Sequence, residues 1–240
     1  MANAYYDSGA ERAARVERLF ARIARRYDLL NDLQSFGVHR VWKDRVVSLA
    51  GIKPGDQALD VCCGTGDLTL RLARSGASVT GLDFTREMLD VAERRRNKDA
   101  SGLPVKFVSG DAQILPFENS SFDVVTVGYG LRNLADWKTG LAEMERVARP
   151  GGRLLVLDFG KPRNPAWRWL YFAYLRMFVP VLGLLFCGDA QAYAYILESL
   201  HHYPAQEGVR DQMKAMGLAD VQVFEFFGGM MSINFGVRSK

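Results

Sequence analysis

LDVCCGTGDLT, residues 59–69, is the most informative stretch of the chain. An apolar run from Gln57 to Val61 gives way to Gly64 and Gly66, and then to the amphipathic DLTLRLARSG of residues 67–76. That order is a strand, a glycine turn and a helix. Glycines at such a turn admit positive φ and let backbone N–H groups approach a ligand closely at the helix N-terminus. A dinucleotide fingerprint would need a third glycine at position 69, where Thr69 stands, so a nicotinamide-cofactor site lacks its diagnostic residue.

The alternation continues on the C-terminal side with SVTGLDF (78–84), TREMLDVAERRR (85–96), VKFVSGD (105–111), FDVVTVGYG (122–130), WKTGLAEMERVARPGG (137–152) and RLLVLDF (153–159). Short Val- and Leu-rich strands separated by helix-length segments predict an α/β fold, a mostly parallel sheet with helices on both faces. Gly76 is expected to end the first helix, and Pro150, Gly151 and Gly152 to stop the one through Leu141, Met144 and Val147. Further on, VQVFEFF (221–227) and MMSINFGV (230–237), joined by Gly228 and Gly229, predict a hairpin whose antiparallel last strand completes the sheet. Residues 1–50 are helical in pattern. Residues 166–188 are aromatic and apolar but carry Arg168 and Arg176, which leaves twelve uncharged residues, Met177–Gly188, too few to cross a bilayer as a helix. Pro180 and Gly183 are expected to break this segment in two and give it a hinge.

With 240 residues, 48% of them hydrophobic and 24% charged, the chain has the composition of a globular protein rather than of a disordered or fibrous one. The net charge of +4 is small, and it is local. Arg12 to Arg26 holds six arginines against Glu17, a charge of +5, so the other 225 residues carry −1. No nucleic-acid partner is expected from so mild a balance. Cys62, Cys63 and Cys187 are too few for a disulfide framework and lack zinc-site spacing, so no metal is expected and a reducing cytoplasm fits. The first fifteen residues have no apolar core of a secretory leader.

Candidate site residues gather at strand ends. Asp60, Gly64 and Gly66 lie at the first, Asp83 ends the second seventeen residues after Gly66, and Asp111 with Ala112 follows the third. Asp83 is placed to accept two ribose hydroxyls, and Asp111 with Ala112 to face an adenine edge. Each acid alone could equally be a helix cap or a solvated loop residue. Together they point to a nucleotide-like ligand in the crevice at the carboxyl ends of the strands.

The segments FARIARRYDLLNDLQSFGVHRVWK (20–43), LDVCCGTGDLT, GLDFTREML (81–89), GDAQILPF (110–117), FDVVTVGYGLRNLADW (122–137), RVARPGGRLLVLDFGKP (146–162) and AYAYILESLHHYP (192–204) resemble those of the ubiquinone/menaquinone biosynthesis C-methyltransferases. These are S-adenosylmethionine-dependent enzymes of the Rossmann-like class I methyltransferase fold. The resemblance implies a seven-stranded sheet and methylation of a prenylated quinol, demethylmenaquinol first and 2-polyprenyl-6-methoxy-1,4-benzoquinol as the alternative. By the same resemblance, Thr65 and its turn hold the methionine moiety, Asp83 the ribose, and Asp111 with Ala112 the adenine. Gly128 stands where many members have Ser, leaving only backbone contact to the cofactor. The Cys62–Cys63 pair replaces small residues, and tight packing fits it better than thiol chemistry.

The resemblance also implies that the GLRN motif is catalytic, which points to Arg132 and Asn133 here, Arg132 to stabilise a phenolate or orient a water and Asn133 to hold that water. The structural alternative pairs Arg132 with Asp136 or Glu143 and has Asn133 cap the loop. A base is open among Asp158, Tyr193 or Tyr195, His201 and His202. The expected organisation is one methyltransferase domain over residues 1–240, with residues 1–50 as a helical arm and 161–205 as an apolar lid over the acceptor. The basic N-terminal helix suits peripheral contact with the inner face of a membrane, and the apolar segment suits a lid or a homodimer interface. Methyltransferases acting on other acceptors share the same crevice.

Overall fold

The computed structural model describes residues 11–187 and 191–240, without the side chains of residues 11–13, 25 and 182–195. Seven strands form one sheet: β1 (Gln57–Val61), β2 (Ser78–Asp83), β3 (Val105–Ser109), β4 (Phe122–Gly128), β5 (Ala148–Phe159), β6 (Ala219–Phe226) and β7 (Met231–Val237), in the order β3-β2-β1-β4-β5-β7-β6. Only β7 runs antiparallel to its neighbours, β5 and β6. The chain winds outward from β1 to β3 and then returns to β4, so the topological switch lies between β1 and β4. Ligands of open α/β sheets bind at that point.

Residue alternation sorts the core into two layers. Leu59, Val61, Val125, Val127, Leu154 and Val156 face α6 (Trp137–Val147) and α9 (Ala205–Ala215). Ala58, Val79, Val124, Leu155 and Leu157 pack against α3 (His39–Ala50) and α4 (Asp67–Arg74). The expected stop at Pro150-Gly151-Gly152 falls differently. α6 ends at Val147, and β5 begins at once with Ala148 and runs through the Pro-Gly-Gly. A register shift against β4 between Phe122 and Val124 absorbs that stretch, as a bulge does.

A third apolar cluster draws on both parts of the chain that flank the strands. Leu19 and Ile23 of α1 (Glu11–Ile23) and Leu30 of α2 (Tyr27–Ser35) meet Met88 of α5 (Arg86–Asp99), Tyr171, Leu175 and Val179 of α7 (Pro165–Cys187), and Ile196 and Leu200 of α8 (Gln191–His202). The apolar stripe of α1 therefore faces the protein, with Arg18, Arg22 and Arg26 exposed. α7 corrects the expected break at Pro180 and Gly183: it is one helix of 23 residues with Pro180 inside it. Proline removes the bond to the carbonyl four residues back, here that of exposed Arg176, which water can satisfy. No helix among the described residues is long and apolar enough to cross a membrane.

Candidate active site

The glycine turn after β1 is held by acids and hydroxyls from five elements, β1, β2, β4, α2 and α4. Asp60, 1% exposed, accepts hydrogen bonds from Thr69 Oγ1 at 2.6 Å and Thr126 Oγ1 at 2.9 Å, and burial pushes its pKa up to about 6. Asp83 accepts from the Gly64 N–H at 2.8 Å and the Thr85 N–H at 2.9 Å. Burial raises its pKa as well, against the pull of those donors. Gly64 and Gly66 both have positive φ, +54° and +77°, as expected of the turn. Thr65 Oγ1 donates to Asp28 Oδ1 on α2 at 2.9 Å, so its hydroxyl is committed within the protein and the turn is left to meet a ligand through its backbone. The thiols of Cys62 and Cys63 are pushed far up by burial and by Asp83, which makes them packing groups rather than reactive ones.

The exit of β4 is the second half of the site. Tyr129 takes φ +63°, a rare conformation for a non-glycine residue. Its carbonyl accepts from Arg132 Nη1 at 2.7 Å and from Asn133 Nδ2 at 3.1 Å. Arg132, 4% exposed, is paired with Asp158 at 2.7 Å, and Asp158 also accepts from the Arg132 N–H at 3.2 Å and the Phe159 N–H at 2.8 Å. The guanidinium lies 4.5 Å from the Phe159 ring centroid. The expected local pairing of Arg132 with Asp136 or Glu143 is thereby corrected. Asp136 caps α6, and Glu143 binds Arg146 and the Leu115 N–H. The true partner comes from β5, whose C-terminal end lies beside that of β4 (Gly128 opposite Leu157).

Three cavities open along this line. One of about 850 Å³ is walled by Val16, Phe20 and Met88 and edged by Gly64, Asp83, Asp111, Ala112, Gly128 and Asn133. A second, of about 340 Å³, contains Lys43, Asp60, Thr65, Asp67 and Gly128. The third, of about 830 Å³, is mostly aromatic and aliphatic, with Trp42, Phe159, Tyr171, Leu175 and Val179 in its wall and Arg132 and His39 among its polar members. Tyr27 and Tyr129 line all three. Lys43 Nζ is 2.8 Å from Asp67. Burial pushes the Asp67 carboxyl up, but Lys43 and then Arg71 pull it down to about 2.

The strand-end residues expected from sequence are thus brought together, whereas the base candidates are not. Asp158 is buried behind Arg132 and lines none of the cavities. His201 and His202 are exposed, His201 with its ring against Phe172 and His202 3.3 Å from Glu198. The side chains of Tyr193 and Tyr195 lie outside the described residues. Tyr27, Lys43, Tyr129 and His39 were missed as site residues. Three of them stand in the 20–43 segment, which carries the family resemblance but has no strand end or glycine turn to single out one residue.

The model of the ubiE/COQ5 methyltransferase family matches residues 8–238. The chain belongs to that family. A demethylmenaquinone methyltransferase of Staphylococcus aureus strain JH9 is 40% identical over 228 residues, 94% of this chain and 93% of that one. Among solved structures, a SAM-dependent methyltransferase from Aquifex aeolicus superposes with TM-score 0.58 at 18% identity, over 82% of this chain and 89% of that chain. Magnesium protoporphyrin IX methyltransferase from Synechocystis PCC 6803, solved with SAH bound, superposes with TM-score 0.59 at 22% identity, over 84% of each chain. At these identities the likeness establishes the shared fold of this methyltransferase family member.

Proposed function

We propose that the protein transfers the methyl group of S-adenosylmethionine to a ring carbon of a prenylated quinol, converting demethylmenaquinol to menaquinol. One observation carries this function: an acid-edged cavity and an apolar cavity of nearly equal size meet at Tyr27 and Tyr129, and the relative at 40% identity bears the name of that reaction. The donor set fits the cofactor. Asp83 suits the ribose hydroxyls, Asp111 with Ala112 the adenine, and Lys43 the carboxylate of the methionine end, beside Asp60, the turn Gly64-Thr65-Gly66 and the backbone of Gly128. Bound there, the sulfonium supplies an activated methyl group.

The protein's part is to position the ring and manage its charge. Arg132 faces the acceptor cavity with a charge that Asp158 and Phe159 hold in place. It stabilises the phenolate that forms when the ring hydroxyl gives its proton to water, and that phenolate makes the neighbouring ring carbon nucleophilic. Asn133 lines the cofactor cavity, and its buried Oδ1 has no hydrogen-bond partner among the described residues. It holds the water that carries off the proton lost from the methylated carbon. The domain is a single catalytic unit, with the arm of residues 1–50, whose first ten lie outside the described residues, and the lid of residues 161–205 over the acceptor, of which 188–190 lie outside them. It works in the cytoplasm and touches the membrane that stores the prenyl chain, through the arginine face of α1 and the exposed Trp169, Met177 and Val181 of α7. Salt-sensitive co-sedimentation with anionic liposomes is expected, and its absence would remove the membrane contact.

Incubation with S-adenosylmethionine and both demethylated quinols, followed by mass analysis, tests the reaction. Methylation of the naphthoquinol is expected. Methylation of the methoxybenzoquinol alone would move the substrate to the benzoquinol, and methylation of neither would refute the acceptor class.

A further inference from the structure

The acceptor cavity has polar lining residues that the chemistry above does not use. On α2, Asn31 Nδ2 and Gln34 Nε2 are buried without a hydrogen-bond partner among the described residues, and both residues line the cavity. They stand three residues apart, on one face of the helix. Buried amide donors left unpaired are destabilising unless a ligand satisfies them. Ser35 follows, and its hydroxyl has a single proton, donated to the Asn31 carbonyl at 2.6 Å. The 2.9 Å contact between Ser35 Oγ and His39 Nδ1 must therefore be donated by the ring. This assigns His39 the Nδ1–H tautomer and leaves Nε2 as an acceptor. No described residue donates to it, and His39 also lines the cavity. Burial first, and Lys43 second, hold the His39 pKa down to about 4, so the ring is neutral at neutral pH.

We propose that Asn31, Gln34 and His39 form a subsite for the ring hydroxyl away from the reacting carbon, and that it selects the reduced acceptor. None of the three lines the cofactor cavity, so the oxygen they hold is not the one beside the methyl group. A hydroxyl both donates and accepts: it gives its proton to His39 Nε2 and takes a hydrogen bond from an amide. A quinone carbonyl only accepts, and meets the Nε2 lone pair with nothing to donate. The same three groups therefore favour the quinol, the only redox state whose ring carbon is nucleophilic. This inference rests on the quinol acceptor proposed above.

The test is anaerobic calorimetry on cofactor-free protein with a short-chain prenyl naphthoquinone in both redox states. Wild-type protein is expected to bind the quinol about tenfold tighter, one hydrogen bond's difference, about 1.4 kcal/mol. His39→Phe should abolish the preference while leaving quinone affinity nearly unchanged. Asn31→Leu and Gln34→Leu should weaken both states alike. Ser35→Ala, a smaller change to the fold, releases the tautomer and should shrink the preference, and histidine ¹⁵N spectra should show protonated Nδ1 in wild type. Equal affinity of wild type for both states, or a preference intact in both His39→Phe and Ser35→Ala, overturns the subsite. Redox-selective binding without methylation of any quinol upholds the subsite and overturns the reaction.

Discussion

The cofactor crevice and the acceptor cavity are nearly equal in volume and share two tyrosines, yet they are built on opposite terms. Around the glycine turn of the crevice the polar groups are satisfied from within: Asp60 by two threonines, Asp83 by two backbone amides and Thr65 by Asp28. In the acceptor cavity Asn31 and Gln34 keep unpaired donors. The crevice is held in shape by strand ends and is preorganised for a ligand of fixed form. The acceptor cavity is walled by helices from both flanks of the sheet, and its hydrogen bonding is complete only with the substrate in place.

Arg132 lines the acceptor cavity and holds the carbonyl of Tyr129, a residue both cavities share, and its loss should have the largest effect. Arg132→Ala leaves Asp158 buried and unpaired, which should cost roughly 3–5 kcal/mol of stability and lower turnover by about 10²–10³. Arg132→Met combined with Asp158→Leu should recover most of the stability in urea melts but not the turnover. Recovery of both would make the ion pair purely structural. Asp83→Ala should weaken cofactor binding by roughly 10–100-fold, since it removes hydrogen bonds to a charged acceptor, and should leave quinol binding in the cofactor-free protein unchanged. Wild-type cofactor affinity by calorimetry would take Asp83 out of the site.

His39 offers a smaller effect, read against pH. Its folded pKa of about 4 lies below the ordinary 6.5. The unfolded chain therefore binds the extra proton first, and stability present above pH 6.5 is lost as pH falls toward 4. Asp32, Arg40, Lys43 and Asp67 surround the ring and are common to both proteins in the comparison. His39→Gln should flatten the wild-type decline by about 2–3 kcal/mol between those limits, measured as the change in urea midpoint. Smallest of all, Gly130→Ala should cost about 1–3 kcal/mol by overpacking, because a Cβ there would collide with Cys62 Cβ. Cys62→Gly should relieve it and also suit the φ of +53° at that position.

The same contrast explains what the sequence disclosed. Gly64, Asp83 and Asp111 were legible because a parallel strand must end in a turn, and the residue at that end has one crevice to face. The partner of Arg132 was not. Sequence neighbours suggested Asp136 or Glu143, while parallel pairing put Asp158, 26 residues onward, beside it. Helical periodicity in residues 20–43 identifies a buried face but does not say whether that face meets packed side chains or a cavity, so Asn31, Gln34 and His39 stayed hidden. His201 and His202 attracted notice through chemistry alone, and their exposure shows that residue type without placement is a weak guide.

Asp28 ties the two regions mechanically. It accepts the Thr65 hydroxyl of the glycine turn, is paired with Arg95, and sits three residues, about 4.5 Å along the axis, before Asn31. One carboxylate thus fastens the glycine turn of the cofactor crevice to α2, and that helix serves both cavities, through Tyr27 in one and through Tyr27, Asn31 and Gln34 in the other.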